Sequence, residues 1–118
     1  MDSVDPMDAA LRVSRERSGS TCVLRVTGEV DVATSPLLRR EATLDEDALQ
    51  VLILDCTGVT FLDSAGLTVL VQVDQWCRER AAELRIITRT RAVLRALQIT
   101  GLDRVLTIAA TLDDARPA

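Results

Sequence analysis

Ser64 is the side chain with the clearest chemical potential in this sequence. It stands in Phe61-Leu62-Asp63-Ser64-Ala65-Gly66-Leu67, shortly after an uninterrupted apolar run at 51–54 that Asp55 closes. A hydroxyl in that place can cap a helix, attack a substrate, or accept a group from another protein. Catalysis lacks its parts. The chain has no His, so a Ser-His-Asp triad cannot form within it. Leu62 occupies the place of the first Gly in a G-x-S-x-G elbow. Every basic side chain is Arg, which removes the P-loop lysine and also the Asp–Lys pair of a receiver domain. Cys22, Cys56 and Cys77 share no CxxC spacing, so zinc would have to rely on scattered Cys and carboxylates. No enzymatic activity and no cofactor are expected.

The elements around Ser64 can be read from apolar periodicity. A short apolar run without polar alternation suits a strand buried on both faces. Cys56, Thr57 and Gly58 are expected to break it, and a helical pattern follows over residues 64–80. Asp and Ser both favour helix starts, because their side-chain oxygens accept otherwise unpaired backbone N–H groups. The hydroxyl therefore sits where a central strand hands over to a helix, at a strand's carboxyl end, which is a functional address in open α/β sheets. At 100° per residue, Gly66, Leu70, Val73 and Cys77 share one face, flanked by Val69, Trp76 and Ala81. Leu67 and Val71 point away from it, beside Arg78. They either tuck under a neighbouring helix or form part of a docking surface.

Elsewhere, residues 11–15 alternate as a half-exposed strand does, 18–20 are turn chemistry, and 22–26 form a second strand ending at Gly28. Glu29, Val30 and Asp31 then fall in a loop. Ser35-Pro36 predicts a helix start, with Ser as the cap. The acidic run at 45–47 opposes the dipole of that helix's end, or is simply a solvated face. A strand at 84–88, a helix at 91–99 with Val93, Leu94 and Leu97 inward, a left-handed stop at Gly101 and a strand at 105–108 complete the pattern. Residues 1–10 read as a flexible leader, 11–110 as one α/β domain, and 111–118 as a loose tail or a last frayed turn. A hairpin followed by three helix–strand units implies a mixed sheet with later parallel strands and helices covering one face.

The Asp-Ser-Ala-Gly-Leu element after its strand, with Gly28-Glu29-Val30-Asp31 upstream, resembles the STAS-domain family. Within it the chain looks like the bacterial anti-sigma factor antagonists, over about residues 11–108. The resemblance implies that Ser64 is a phosphorylation site, with Asp31, Asp63 and Gly66 supporting it; Leu67 and Val71, from their helical direction, are expected to contribute to partner binding. It places Asp31 near the Ser64 hydroxyl, where it should matter more for phosphorylation than for folding; Glu29 reads as a solvated acid. On residue type alone Ser64 would be a helix cap, and the resemblance reverses that order. The implied partner is an anti-sigma factor serine kinase. The unphosphorylated form binds it and frees the sigma factor; phosphorylation ends the binding. The other reading within the family is an unmodified STAS adaptor of a lipid-transport or stress-signalling assembly.

Composition agrees with a binding module. At 118 residues and 47% apolar, one domain can build a real core. With 2% aromatic residues, that core must be aliphatic. The net charge of -4 argues against direct nucleic-acid binding and against anionic membrane surfaces. No apolar stretch approaches the roughly 20 residues of a membrane span. The acidic start lacks a signal pattern, and unpaired thiols suit a reducing compartment, so a cytoplasmic location is expected. No feature of the sequence selects an oligomeric state.

Overall fold

The computed structural model describes residues 10–44 and 47–117. Residues 1–9 of the expected leader, the acids Asp45 and Glu46, and Ala118 lie outside the described residues. Strands β1 (Leu11–Ser18) and β2 (Thr21–Val30) form the expected hairpin. Helix α1 (Ser35–Ala42), strand β3 (Val51–Leu62), helix α2 (Ser64–Glu79), strand β4 (Glu83–Ile87), helix α3 (Arg91–Thr100), strand β5 (Thr107–Ala109) and helix α4 (Leu112–Ala115) follow. The sheet order is β1-β2-β3-β4-β5. The β1–β2 pair is antiparallel, and β2 to β5 run parallel. This is the expected single α/β domain with a mixed sheet.

The main core lies on one face, where Leu38 and Ala42 of α1, Val69, Leu70, Val73 and Cys77 of α2, and Val93 and Leu97 of α3 meet Leu24, Leu52, Leu54 and Ile86. The central strand is buried on both faces, as its unbroken apolar run requires. Its alternate residues Val51 and Ile53 join Val23 and Ile87 in a smaller cluster on the far face.

Several boundaries differ from those read in the sequence. β3 does not stop at Cys56. It continues to Leu62 through two places where β3 spends an extra residue, with Arg25 opposite Asp55 but Thr27 opposite Gly58, and Gly28 opposite Val59 but Glu29 opposite Phe61. These are β-bulges, which bend a strand without ending it. They keep both Cys56 and Val59 on the main core side, although alternation alone would put them on opposite faces. At Gly58 a Cβ would collide with the Thr27 side chain, so the apparent break is a close approach of neighbouring strands.

β2 likewise runs on to Val30, so Glu29 and Val30 are strand residues and only Asp31 begins the loop. Thr34, not Ser35, occupies the N-cap position of α1. Ala81 is not helical; with φ of 56° it is the left-handed residue after α2. The last strand lies at 107–109 because residues 102–104 form a 3-10 turn. The segment read as a loose tail contains α4, whose Ala115 is buried against the far-face cluster and whose Ala115 carbonyl accepts a 2.8 Å bond from the Arg85 guanidinium. It closes the β4–β5 side of that cluster.

Candidate functional site

Parallel pairing of β2 and β3 builds the site. Val30 lies opposite Leu62 at the carboxyl ends of the two strands, and the Asp63 amide donates to the Val30 carbonyl at 3.2 Å. The next residues, Asp31 on one chain segment and Asp63-Ser64 on the other, therefore emerge at one edge of the sheet.

Asp63 caps α2. Its Oδ1 accepts from the Ala65 amide at 2.9 Å and the Gly66 amide at 3.2 Å. Ser64 is the first helical residue and is exposed. Among the described residues its hydroxyl makes no hydrogen bond, while its carbonyl accepts from the Thr68 hydroxyl at 2.9 Å. Capping and hydroxyl chemistry are thus divided between neighbours: Asp63 holds the helix start and Ser64 offers a free Oγ to solvent. Sequence reasoning could not divide them, because either residue type can cap.

Gly66 fixes how closely that start approaches the sheet. A Cβ there would stand 2.8 Å from Leu62 Cδ1, 2.9 Å from Leu62 Cγ and 2.9 Å from Val30 Cγ1. The first turn of α2 is pressed onto the strand ends, and only Gly allows that separation.

Asp31 organises its own loop. Its Oδ1 accepts from the Ala33 amide at 2.9 Å and the Thr34 amide at 3.0 Å and lies 3.1 Å from the Thr34 hydroxyl, a third donor, and its backbone amide donates to Thr34 Oγ1 at 2.9 Å. The Thr34 hydroxyl also lies 2.7 Å from the Glu29 carbonyl, an acceptor for its single proton. The Thr34 amide, helped by the Thr34 hydroxyl and the Ala33 amide, holds the Asp31 carboxyl below its usual pKa against a smaller desolvation effect. No Asp31–Ser64 hydrogen bond exists among the described residues. Asp31 shares the edge with Ser64 but is engaged in shaping the turn into α1.

Leu67 and Val71 separate. Leu67 is half-buried and packs against the main core, whereas Val71 is 42% exposed. Two exposed apolar residues at this end of the sheet escaped the sequence reading. Val32, next to Asp31, is 78% exposed, and Phe61, three residues before Ser64, is 48% exposed. Phe61 carried a signal: it is the chain's single Phe, and it stands at the end of the central strand, where an aromatic would ordinarily be buried. Val32 is also on the lip of a groove of about 310 Å³ between α1 and α2, lined further by Pro36, Arg39, Ala65, Thr68 and Gln72. Arg39 and Gln72 also line a second depression of about 360 Å³ that extends along the same helices to Trp76. This groove is a tertiary feature without a local sequence signature.

Among the described residues no cluster of His, Cys, Asp and Glu could hold a metal. Burial raises the thiols of Cys56 to about 12 and Cys77 to about 11, far from a reactive thiolate. Among the same residues no helix is long and apolar enough to cross a membrane.

The sequence profile of the STAS domain matches residues 12–115. A Mycobacterium tuberculosis protein described as a candidate anti-anti-sigma factor is 33% identical over 110 residues, covering 91% of this chain and 74% of its own. The anti-sigma-B factor antagonist of Listeria monocytogenes is 31% identical over 96 residues, covering 80% and 83%. The crystal structure of an anti-sigma factor antagonist from Mycobacterium paratuberculosis superposes with a TM-score of 0.80 at 29% identity, covering 89% of this chain and 90% of that one. With its profile matched from β1 to α4 and its hairpin-then-parallel sheet shared with a solved relative, the chain belongs to the STAS domain family.

Proposed function

We propose that this protein is an anti-sigma factor antagonist acting in the cytoplasm, and that Ser64 is its switch. In the unphosphorylated state it binds an anti-sigma factor that is also a serine kinase, and so frees the sigma factor. The partner holds ATP and Mg²⁺; this chain supplies the acceptor and needs no cofactor. Ser64 Oγ attacks the γ-phosphorus, the bond to the β,γ-bridging oxygen breaks, ADP leaves, and the hydroxyl proton passes to a base on the partner or to water. The chain is then a substrate of phosphoryl transfer rather than a catalyst.

The observation that carries this reading is the free, exposed Ser64 hydroxyl beside a helix start that Asp63 already caps. A serine retained only for capping would be making the bonds that Asp63 makes. Val32 and the α1–α2 groove give the partner an apolar and polar surface beside the first turn of α2, and the relatives' descriptions support an anti-sigma factor as the partner. Incubation with the cognate kinase and ATP, followed by phosphopeptide mapping, tests it. Ser64 is expected to carry the phosphate, and Ser64→Ala to lose it while still binding the kinase. Modification at Thr57, Thr60 or Thr68 with Ser64 untouched would overturn the assignment. Copurification with a transport assembly instead of a kinase would favour the adaptor.

A further inference from the structure

The α3 surface combines several local conflicts of charge and capping. Residues 84–102 contain Arg85, Arg89, Arg91 and Arg95 and no acid, in a chain with net charge -4. Arg85 is paired with Glu83. Arg89, Arg91 and Arg95 are exposed and make no hydrogen bond or ion pair among the described residues. Arg91 opens the helix, with no acid in its first turn, so its charge opposes the positive end of the dipole. Arg91 and Arg95 stand four apart, where like charges repel. Thr90 does not cap the helix with its side chain; its hydroxyl donates to the Val59 carbonyl at 3.2 Å. The arginine positions work against the helix locally, and such local conflicts mark functional surfaces.

The shape indicates what the arginines would meet. Arg89, Arg91, Leu94, Arg95 and Gln98 line one open depression of about 470 Å³. The last four are spaced as one helical stripe, which extends about 10 Å along the axis at 1.5 Å per residue. That is too long for a single phosphate or carboxylate and suits an extended or helical segment with several acids. The half-buried Leu94 lies within the stripe, so the segment would also need an apolar side chain. Nucleic acid fits less well, because the chain has no Lys, net negative charge, and no aromatic residue in this region on which a base could stack. An anionic bilayer would meet the same net repulsion.

We propose that the outer face of α3 is a docking surface for an acidic, amphipathic protein segment, held by Arg91 and Arg95 with Arg89 and Gln98 at its ends and Leu94 beneath it. This surface is on a different helix from the α1–α2 groove, and it stands whether or not Ser64 is phosphorylated.

The test uses the full chain and a labelled synthetic helical peptide with Glu at i and i+4 and Leu between them. Binding at low salt is expected, falling as salt rises, with amide shifts centred on residues 89–98. The double variant R91E/R95E is expected to bind at least tenfold more weakly and to regain binding when the peptide's Glu residues are replaced by Lys. Its thermal melt should be no lower than wild type, because acids now face the positive helix end. The proposal is overturned if the variant binds the acidic peptide as wild type does, or if the shifts lie elsewhere. It is equally overturned if a single-stranded oligonucleotide or phosphatidylserine vesicles bind more tightly than the peptide at the same salt.

Discussion

At the scale of single residues, the edge of the sheet divides labour between three acids and one hydroxyl. Asp63 satisfies two amides of α2, Asp31 satisfies two amides ahead of α1, and Glu29 stays exposed on β2. Asp31 therefore does more for the fold than an exposed loop acid would, which the sequence reading did not expect of it. Its folded pKa is lowered from 3.8, chiefly by the Thr34 amide. A depressed acid binds its proton more readily in the unfolded chain, so its stabilising effect is complete above the unfolded value and disappears as pH falls through the folded one. Asp31→Ala is expected to melt below wild type at neutral pH, with the difference shrinking as the pH drops below 3.8. Asp31→Asn keeps an acceptor oxygen and should fall between them, with a smaller pH dependence. Thermal melts at several pH values check this; equal melts for all three proteins at neutral pH would remove Asp31 from the turn.

At the scale of elements, α2 has three sides, and the sequence resolves two of them. The stripe of Gly66, Val69, Leu70, Val73 and Cys77 is buried as its helical spacing requires. Leu67 and Val71 lie off that stripe, but periodicity only gives direction, and the depth of burial depends on what else packs there. Leu67 reaches the core and Val71 does not. The third side, facing α1, is invisible in either segment alone, because the groove exists only once both helices lie on the sheet. The bulges of β3 are hidden for a related reason: Cys-Thr-Gly reads locally as a strand end, and only pairing with Thr27 on β2 shows the strand continuing. Graded truncation reads these sides. Leu70, 1% exposed, should cost about 2–5 kcal/mol on change to Ala. Val71→Ala should stay within about 0.5 kcal/mol, and Leu67→Ala should fall between. Urea unfolding of the three variants gives the order; a Val71→Ala loss as large as that of Leu70→Ala would make Val71 a core residue.

At the scale of the whole molecule, the question is whether a phosphate on Ser64 must change the fold to end partner binding. A phosphoserine adds roughly -1.5 to -2 charges at neutral pH. The start of α2 favours an anion, but Asp63 already occupies the Ala65 and Gly66 amides. The phosphate must either remain outside that cap, in solvent, or displace the Asp63 carboxylate from it. Both events are local, because Gly66 is packed against Leu62 and Val30 and the helix start has no room to move inward. Repulsion from Asp63 and Asp31 is screened while the edge faces water. A docked partner removes that water, and then the phosphate is desolvated beside the Asp63 and Asp31 carboxylates. The free energy penalty thus falls on the complex and not on the free domain. Amide spectra of the domain before and after phosphorylation are expected to shift at residues 31–34 and 62–68, with Ala65 and Gly66 largest if Asp63 is displaced. Shifts extending through β4 to residues 84–87 would mean that the sheet itself rearranges, and the switch would then lie in the fold instead of at the interface.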